Sequence, residues 1–544
     1  PKLISIIERL DFHRQQDGDD EHPCHSSHGP PLPFQLLNQR FLILFKGSIC
    51  AFLRAPLRGE SVPRHISGDS QRPFQGDRSP EVRGGRMNDD VWSWLESLKA
   101  SGYNASLDNA AILLNRLDMP QQSFPAVHVA GSNGKGTCCA ILSNAFTLSG
   151  KCTGLFTSPH LFSVNERIRI DGSPIADILF ENCLKQIQEA SETEPKISPT
   201  FYEATFLVAM LAFRDQGVER AVIETGLGGR LDATRLVDAD CCILTEISLE
   251  HTEFLGETLA EIAEEKVAIV RQGRPFVAVW PYDNSARKVI ERAVRDHDKA
   301  WWWRGDRRDS FPFSEAVKAF RPLSSKTWYD GWMPYQEEAA MLAKSALGAM
   351  GSFYAYDEIE QAVRHTNWPG RMQWLDVDGI PFLLDCAHNP SGMGRACDQI
   401  RFQKTRDMSP MPGVVVLGCT TQNDLGIFLQ PLVELIVEGQ IGHVFVTQPP
   451  DGRKIAVDCE ELASILEEQG TDASISAVRS ISDAISAAKE KAIELDSDLP
   501  QPVLCIGSIY LIGEVLPLID VEAERNFQNT FIPPKGVDGV DPIA

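Results

Sequence analysis

An apolar run from Ala126 to Ala130 breaks at Gly131 into AGSNGKGT, and a helix-like segment, Cys138 to Leu148, follows. A strand that ends in a glycine-punctuated loop and restarts as a helix turns backbone N–H groups inward, with the helix dipole behind them. That is the build of a phosphate-cradling loop over Gly131, Ser132, Asn133, Gly134, Lys135, Gly136 and Thr137. Lys135 supplies a point charge for outer phosphates, and the Thr137 hydroxyl can reach a magnesium ion. The spacing differs from the ordinary G-x-x-x-x-G-K-[ST] loop, because Gly131 lies three residues before Gly134 and Gly136 separates Lys135 from Thr137. The bland alternative is a glycine-rich strand-to-helix turn without a ligand.

A chain of 544 residues has room for several domains, and its 43% hydrophobic and 23% charged residues are those of a globular protein. A net charge of −23 argues against nucleic acid or an anionic membrane as a general partner. No apolar run approaches a membrane span; the nearest, Phe41 to Phe45, is short and flanked by Arg40 and Lys46. Thirteen scattered cysteines without a C-x-x-C read as reduced core thiols in a cytoplasmic protein, not as a zinc site.

Residues 1–86 lack methionine and carry twelve Lys and Arg against ten Asp and Glu, so this segment is near +2. A helical pattern (Val91, Trp92, Leu95, Leu98) begins just after Met87. The leader therefore reads as a gene-model extension or a disordered targeting leader, and its acidic patch Asp17 to Glu21 fits a transit peptide poorly. From Met87 to Trp368, strand patterns alternate with helices: Asn165–Ile170, Ala221–Glu224, Cys241–Thr245 and Val277–Trp280 as strands, Phe201–Phe213 and Thr258–Val270 as helices. This predicts a doubly wound, mostly parallel α/β sheet in a phosphate-loop ATPase domain over 87–368. Residues 301–330 carry no legible pattern. Over 369–520 the strands Phe382–Asp385, Val414–Leu417, His443–Val446 and Val503–Ile506, with helices Glu460–Glu468 and Ile481–Leu495, predict a smaller Rossmann-like domain. A tail, 521–544, follows.

Other candidates lie beyond strand ends, where open α/β sheets bind ligands. Glu224 ends a buried strand and could share a magnesium ion with Thr137, or serve as an ordinary capping or salt-bridged glutamate. His251 follows Cys241–Thr245 by a short loop and is a ligand or a plain surface histidine. Lys266 falls on the apolar face of its helix with Leu259, Ile262, Ala263 and Val270, so it must be paired, deprotonated or modified, unless its stem snorkels to the edge. Asp385-Cys-Ala-His-Asn-Pro390 repeats the strand-end pattern in the second domain. Arg371, at the junction, could reach phosphate charge on closure or form an interdomain ion pair.

The motifs AGSNGKGT, TSPHLFSVNERIRIDG, ETGLGGRLDAT, EISLEHTEFLGETLAEIAEEK, WPGR, LLDCAHNPSG and GSIYLIGEV run in the order of the folylpolyglutamate synthase/dihydrofolate synthase family of the Mur-ligase superfamily, which the chain resembles from Met87 to Val515. The resemblance implies an ATP-dependent ligase in which a pteroyl carboxylate is phosphorylated and the amine of L-glutamate displaces phosphate. It favours a bifunctional enzyme over dihydrofolate synthase or folylpolyglutamate synthase alone. Lys135, His251, Lys266 and His388 would be catalytic. Thr137 and Glu224 would hold one Mg²⁺, and Glu224 with His251 a second; Lys266 would be carbamylated. Arg371, Asp385 and His388 would meet ATP, with Asp385, His388 and Ser508 near the incoming glutamate. Ser158, Pro159, His160, Leu161, Tyr202 and Glu203 would receive the pterin substrate, dihydropteroate or a reduced folate. The expected protein is a monomer working on small molecules. Departures are Ala339 where the family's Q-x-x-N-A motif has an adenine-side asparagine, Cys386 for a small glycine, and the loop Cys419 to Asp424. Two readings compete: another Mur-type amide ligase, or a nucleotide-binding regulator that has lost ligation.

Overall fold

The computed structural model describes residues 89–519 apart from 103, 282, 296–298, 305–308, 313–333, 352–357, 406–410, 440, 451, 453 and 497–499. The expected leader 1–86 and tail 521–544 lie outside the described residues, as does most of the illegible stretch 301–330.

The apolar run before the phosphate loop is strand β1 (Ala126–Ala130), every residue of it buried. It is central because it has neighbours on both sides: β5 (Arg220–Glu224) and β6 (Ala239–Leu244), both parallel, with Val129 opposite Glu224 and Ala130 opposite Leu244. The nine-stranded sheet continues through β2 (Thr153–Phe156), β3 (Ile168–Ile170) and β4 (Ser173–Pro174) on one side. On the other side come β7 (Phe276–Val279), β8 (Ala300–Arg304) and β9 (Asp309–Pro312). Only the pairings of β3, β4 and β9 at the margins are antiparallel. Helices cover both faces, which is why the inner strands read as continuous apolar runs rather than alternating ones. Helix Lys135–Leu148 packs on one face with Pro334–Ala349 and Ile359–His365. Helices Asp177–Glu192, Phe201–Asp215, Leu259–Val267 and Asn284–Ala293 take the other. His128, fully buried in β1, is satisfied by Thr234 Oγ1 at 2.8 Å; burial, then Arg235, pushes its pKa down to about 3, so it is a neutral core histidine.

The second sheet has six strands in the order β10 (Gln373–Val377), β11 (Ile380–Asp385), β15 (Val503–Ile506), β12 (Val414–Leu417), β13 (His443–Val446) and β14 (Ser474–Ala477). All pairings but β10–β11 are parallel. Helices Pro390–Thr405, Leu425–Gly439 and Cys459–Glu468 pack on one face, Ile481–Leu495 and Ile509–Ile519 on the other. Among the described residues no helix is long and apolar enough to cross a membrane.

Local chemistry explains where pattern reading fell short. The alternating stretch Asn165–Ile170 is a strand only from Ile168, because Ser163 and Glu166 close a capping box that winds Val164–Arg167 into a 3₁₀ turn. The helix after the phosphate loop starts at Lys135, before Cys138, once Gly134 has turned the chain at φ +84°. The expected capping box at Thr258 and Glu261 forms, but its helix stops at Val267.

Gly131 is the tightest point of the loop. Its φ of +144° is poorly accessible to other residues, and a Cβ there would lie 1.8 Å from Thr245 Oγ1. Gly131→Ala should therefore lower stability by about 2–4 kcal/mol, strain and clash together. Urea unfolding checks this; a variant as stable as the parent would show that the loop relaxes without cost.

Candidate active site

The carboxyl ends of β1, β5 and β6 deliver the phosphate loop, Glu224 and the segment leading to His251 to one end of the first sheet. The carboxyl ends of β11 and β15 deliver Asp385 to Asn389 and Ser508. Both sets line a single cleft of about 1110 Å³, together with Lys135, Thr137, Ser158, Pro159, His160, Tyr202, Glu203, Lys266 and Arg371. The cleft thus joins residues from the two sheets, as ligand sites between α/β units do.

Lys135 folds its ammonium over the loop, donating to the carbonyls of Gly131 at 2.8 Å and Ser132 at 3.0 Å. Gly131 is part of this framework but does not line the cleft. Its carbonyl also accepts from Lys266 Nζ at 2.8 Å. Lys266 is 1% exposed, and its other partner is Glu250 Oε1 at 2.7 Å. The inward lysine is therefore paired, while burial, opposed by the Glu250 charge, lowers its pKa. Burial alone would raise the Glu250 carboxyl, but the Lys266 and Lys135 charges outweigh it and hold it below the ordinary carboxylate range. Glu250 was not singled out in the sequence, although it precedes His251 and supplies the counter-charge that Lys266 demands.

Glu224 is 4% exposed and accepts the Ser158 amide at 3.0 Å, which leaves most of its lone pairs for a cation. Burial raises its pKa, opposed first by Lys135. The Thr137 hydroxyl, the Glu224 carboxylate and the His251 imidazole reach the same cleft, and His251 is turned there by a left-handed backbone at φ +46°. Two oxygen donors with space for substrate phosphates fit magnesium, which binds through few carboxylates and keeps other ligands.

In the second sheet, Asp385 accepts the amides of Met372 at 3.0 Å and Ala387 at 2.9 Å. Burial, only partly offset by Arg371, pushes its pKa up to about 6. His388 Nδ1 lies 2.9 Å from the Cys386 carbonyl, so Nδ1 carries the proton and Nε2 keeps its lone pair in the neutral ring. Burial, then the Arg371 charge, lowers the pKa of His388 and favours that neutral form. Ser508 is buried, and its Oγ accepts the Tyr510 amide at 3.1 Å.

At the far end, Arg167 Nε donates to His160 Nδ1 at 2.9 Å and fixes that ring. Leu161 does not line the cleft: its amide donates to Glu166 Oε2 at 2.9 Å, and its side chain packs on the second sheet's core. Tyr202 donates to Asp232 Oδ1 at 3.0 Å. The Glu203 carboxylate accepts the Thr200 amide at 2.7 Å in a capping box, which gives it a structural task beside its place on the wall. Asp232, missed in the sequence, also accepts the amides of Gly226 at 2.8 Å and Leu227 at 2.9 Å and so shapes the loop after Glu224. Its signal was there: a carboxylate inside the glycine-rich GGRLDAT. Ala339 is 2% exposed in the core against helix Lys135–Leu148, so it offers the nucleotide no polar group.

A phosphate loop on one sheet facing strand-end Asp, His and Ser residues on another defines a Mur-type ligase. Family models agree: Mur ligase middle domain over residues 129–305 and Mur ligase, glutamate ligase domain over residues 370–508. The dihydrofolate synthase/folylpolyglutamate synthase of Bacillus subtilis is 30% identical over 335 residues, 58% of this chain and 77% of the relative. The chain belongs to the folylpolyglutamate synthase/dihydrofolate synthase family of ATP-dependent ligases. A probable bifunctional folylpolyglutamate synthase/dihydropteroate synthase of Halobacterium salinarum is 29% identical over 442 residues, and this chain spans about half, 51%, of its length. The folylpolyglutamate synthase of Mycobacterium tuberculosis, solved with ADP and AMPPCP, superposes with a TM-score of 0.65 at 25% identity, covering 79% of this chain and 99% of that one.

A carboxyl raised from 3.8 to about 6 binds its proton more tightly folded than unfolded, so Asp385 costs stability as pH rises through that window. Asp385→Asn should be more stable than the parent above pH ~6 by about 1–3 kcal/mol, with the gap closing below pH ~4. Denaturant midpoints at both pH values check this; an equal gap at both would contradict the raised pKa.

Proposed function

We propose that the protein uses ATP to join L-glutamate to a pteroyl carboxylate through an acyl phosphate, accepting dihydropteroate, a reduced folate, or both. The observation that carries the reading is the meeting of Lys135, Thr137, Glu224 and His251 with Arg371, Asp385 and His388 in one cleft. An acceptor carboxylate oxygen attacks the γ-phosphorus, ADP leaves, the glutamate nitrogen attacks the acyl carbon, and phosphate departs. Lys135 and the loop amides face the charge that builds on the transferring phosphoryl group. Magnesium held by Thr137 and Glu224, and by Glu224 and His251, would neutralise the phosphate oxygens. Arg371 completes the cationic wall from the second lobe. Neutral His388, with its Nε2 lone pair, is the group suited to take a proton from the attacking amine. Asp385 and Ser508 border the same place and would orient glutamate.

Ser158, Pro159, His160 and Tyr202 would receive the pteroyl group, with Asp232 holding Tyr202. The lobes would divide at Trp368, and because both halves of the cleft come from one chain the enzyme would act as a monomer. Carbamylation of Lys266 would place a second anion beside Glu250, so it needs metal charge close by; the ion pair at 2.7 Å favours the ammonium without it.

The reading is tested by ADP release with glutamate and each acceptor in turn. Turnover with a pteroyl acceptor that requires glutamate is expected; ATP binding without release on any pteroyl acceptor would favour a regulator or another Mur-type ligase. Lys135→Ala should lower kcat by at least on the order of 10²–10³-fold, the scale of losing one preorganised charge on the transition state. Near-normal turnover would remove the loop from the chemistry. Lys266→Ala should cost on the order of 10–100-fold. Partial rescue by short carboxylates would support a carbamate, and rescue by short primary amines without carboxylate rescue would support the ammonium.

A further inference from the structure

The phosphate loop is not held by its own lobe alone. Asn133, at its centre, donates to Glu246 Oε2 at 3.0 Å, and its Oδ1 accepts from Asn389 Nδ2 at 3.1 Å across the cleft. Asn389 in turn caps the start of helix Pro390–Thr405 by accepting the Gly392 amide at 2.7 Å. From the first turns of that helix, Ser391 Oγ donates to Glu246 Oε1 at 2.8 Å. Arg395 Nε lies 3.2 Å from Glu246 Oε2, and its two terminal nitrogens meet Glu338 Oε1 and Oε2 at 3.2 and 3.3 Å. One guanidinium of the second lobe is thus clamped between two carboxylates of the first, and one of those carboxylates also holds the phosphate loop.

The loop turns through Gly134 at φ +84°, and the side-chain ties of Asn133 to Glu246 and Asn389 add to the bonds that fix where its amides point. We propose that Glu246, Arg395 and Asn389 form a latch through which docking of the second lobe sets the phosphate loop, with Asn133 as the element that reads the docked state. These are positioning residues: none has to touch the reacting atoms. The consequence is coupling. Nucleotide is held in productive geometry only when the lobe that supplies Asp385, His388 and Ser508 is in place, so ATP is not spent before the rest of the site is assembled. This rests on the phosphate-loop reading above, and the test separates the two.

The test uses the full chain, with ATP analogue affinity measured directly, the KM of the acceptor measured in turnover, and closure followed by small-angle scattering with and without the analogue. Arg395→Ala and Glu246→Ala should each weaken analogue binding about tenfold, the worth of one charge-assisted pair. Each should leave the acceptor KM within about twofold and reduce analogue-induced compaction. The double variant should fall short of the product of the two single losses, because both remove the Arg395–Glu246 pair. Ser391→Ala, which removes one hydroxyl, should shift affinity about threefold in the same direction and guards against a variant that does not fold. Losses that multiply in the double variant, or an acceptor KM that rises with the analogue Kd, would overturn the latch. So would weaker binding with unchanged compaction, which would assign Arg395 to the nucleotide itself. A parent that binds the analogue and closes but ligates no pteroyl acceptor would sink the functional reading and leave the latch standing.

Discussion

A lysine sealed behind the phosphate loop sets the terms for the rest of the first lobe. At 1% exposure Lys266 cannot keep its water, and desolvation of a charge is among the largest penalties a fold meets. It is met by two acceptors that belong to different elements: Glu250, on the segment after β6, and the Gly131 carbonyl, at the end of β1. The helix Leu259–Val267 is thereby tied to the phosphate loop and to the residue beside His251. Loss of either acceptor would leave a buried charge half-matched, so the loop and the His251 segment are held in register by the cost of leaving that charge alone.

The same electrostatic logic runs through the cleft. The chain carries a net charge of −23, yet Lys135, Lys266, Arg371 and Arg395 border one cavity. Each faces a buried or half-buried acid: Glu250 for Lys266, Glu246 and Glu338 for Arg395, Glu224 and Glu250 within reach of the Lys135 charge, and Glu224 and Asp385 within reach of the Arg371 charge. A site balanced in this way can take up a polyanion together with its cations without a large uncompensated charge at any stage.

What was legible in the sequence follows the length scale of each cause. Strands β12, β13 and β15 were readable to the residue because buried parallel strands need unbroken apolar runs, and Val414–Leu417, His443–Val446 and Val503–Ile506 supply them. The capping boxes at Thr258 and Ser163 are equally local, but at Ser163 the alternation of the residues that follow masks the box. Helix Leu425–Gly439, with Pro431 inside, and edge strand β14, Ser474–Ala477, leave weak marks in the sequence. One breaks a propensity rule, and the other presents small, partly exposed residues. At the site, strand-end position alone pointed to Glu224 and Asp385. Glu250 and Asn389 are harder to read because each matters through a partner farther along the chain, Lys266 for the one and Asn133 for the other, and no short window contains both members of either pair.

The lobe interface explains why so much of the chemistry can depend on closure. Besides the Arg395 clamp and the packing of Leu161 and Phe162 on the second sheet's core, it includes thin polar links, such as Asn423 Nδ2 to Thr252 Oγ1 at 2.6 Å and Lys454 to Glu253 at 3.4 Å, with the last pair more than a quarter exposed on each side. Exposed links of this kind contribute at most about 1 kcal/mol each, and interfaces between domains of one chain are by default able to open. Contacts of this kind can be shifted by the differential binding of a substrate that touches both lobes. Arg371, Asp385 and His388 lie on one side of the cleft, and Lys135, Thr137 and Glu224 on the other. A nucleotide or acceptor that bridges them is therefore the ligand that favours closure, while a ligand held by one lobe alone leaves the balance where it was.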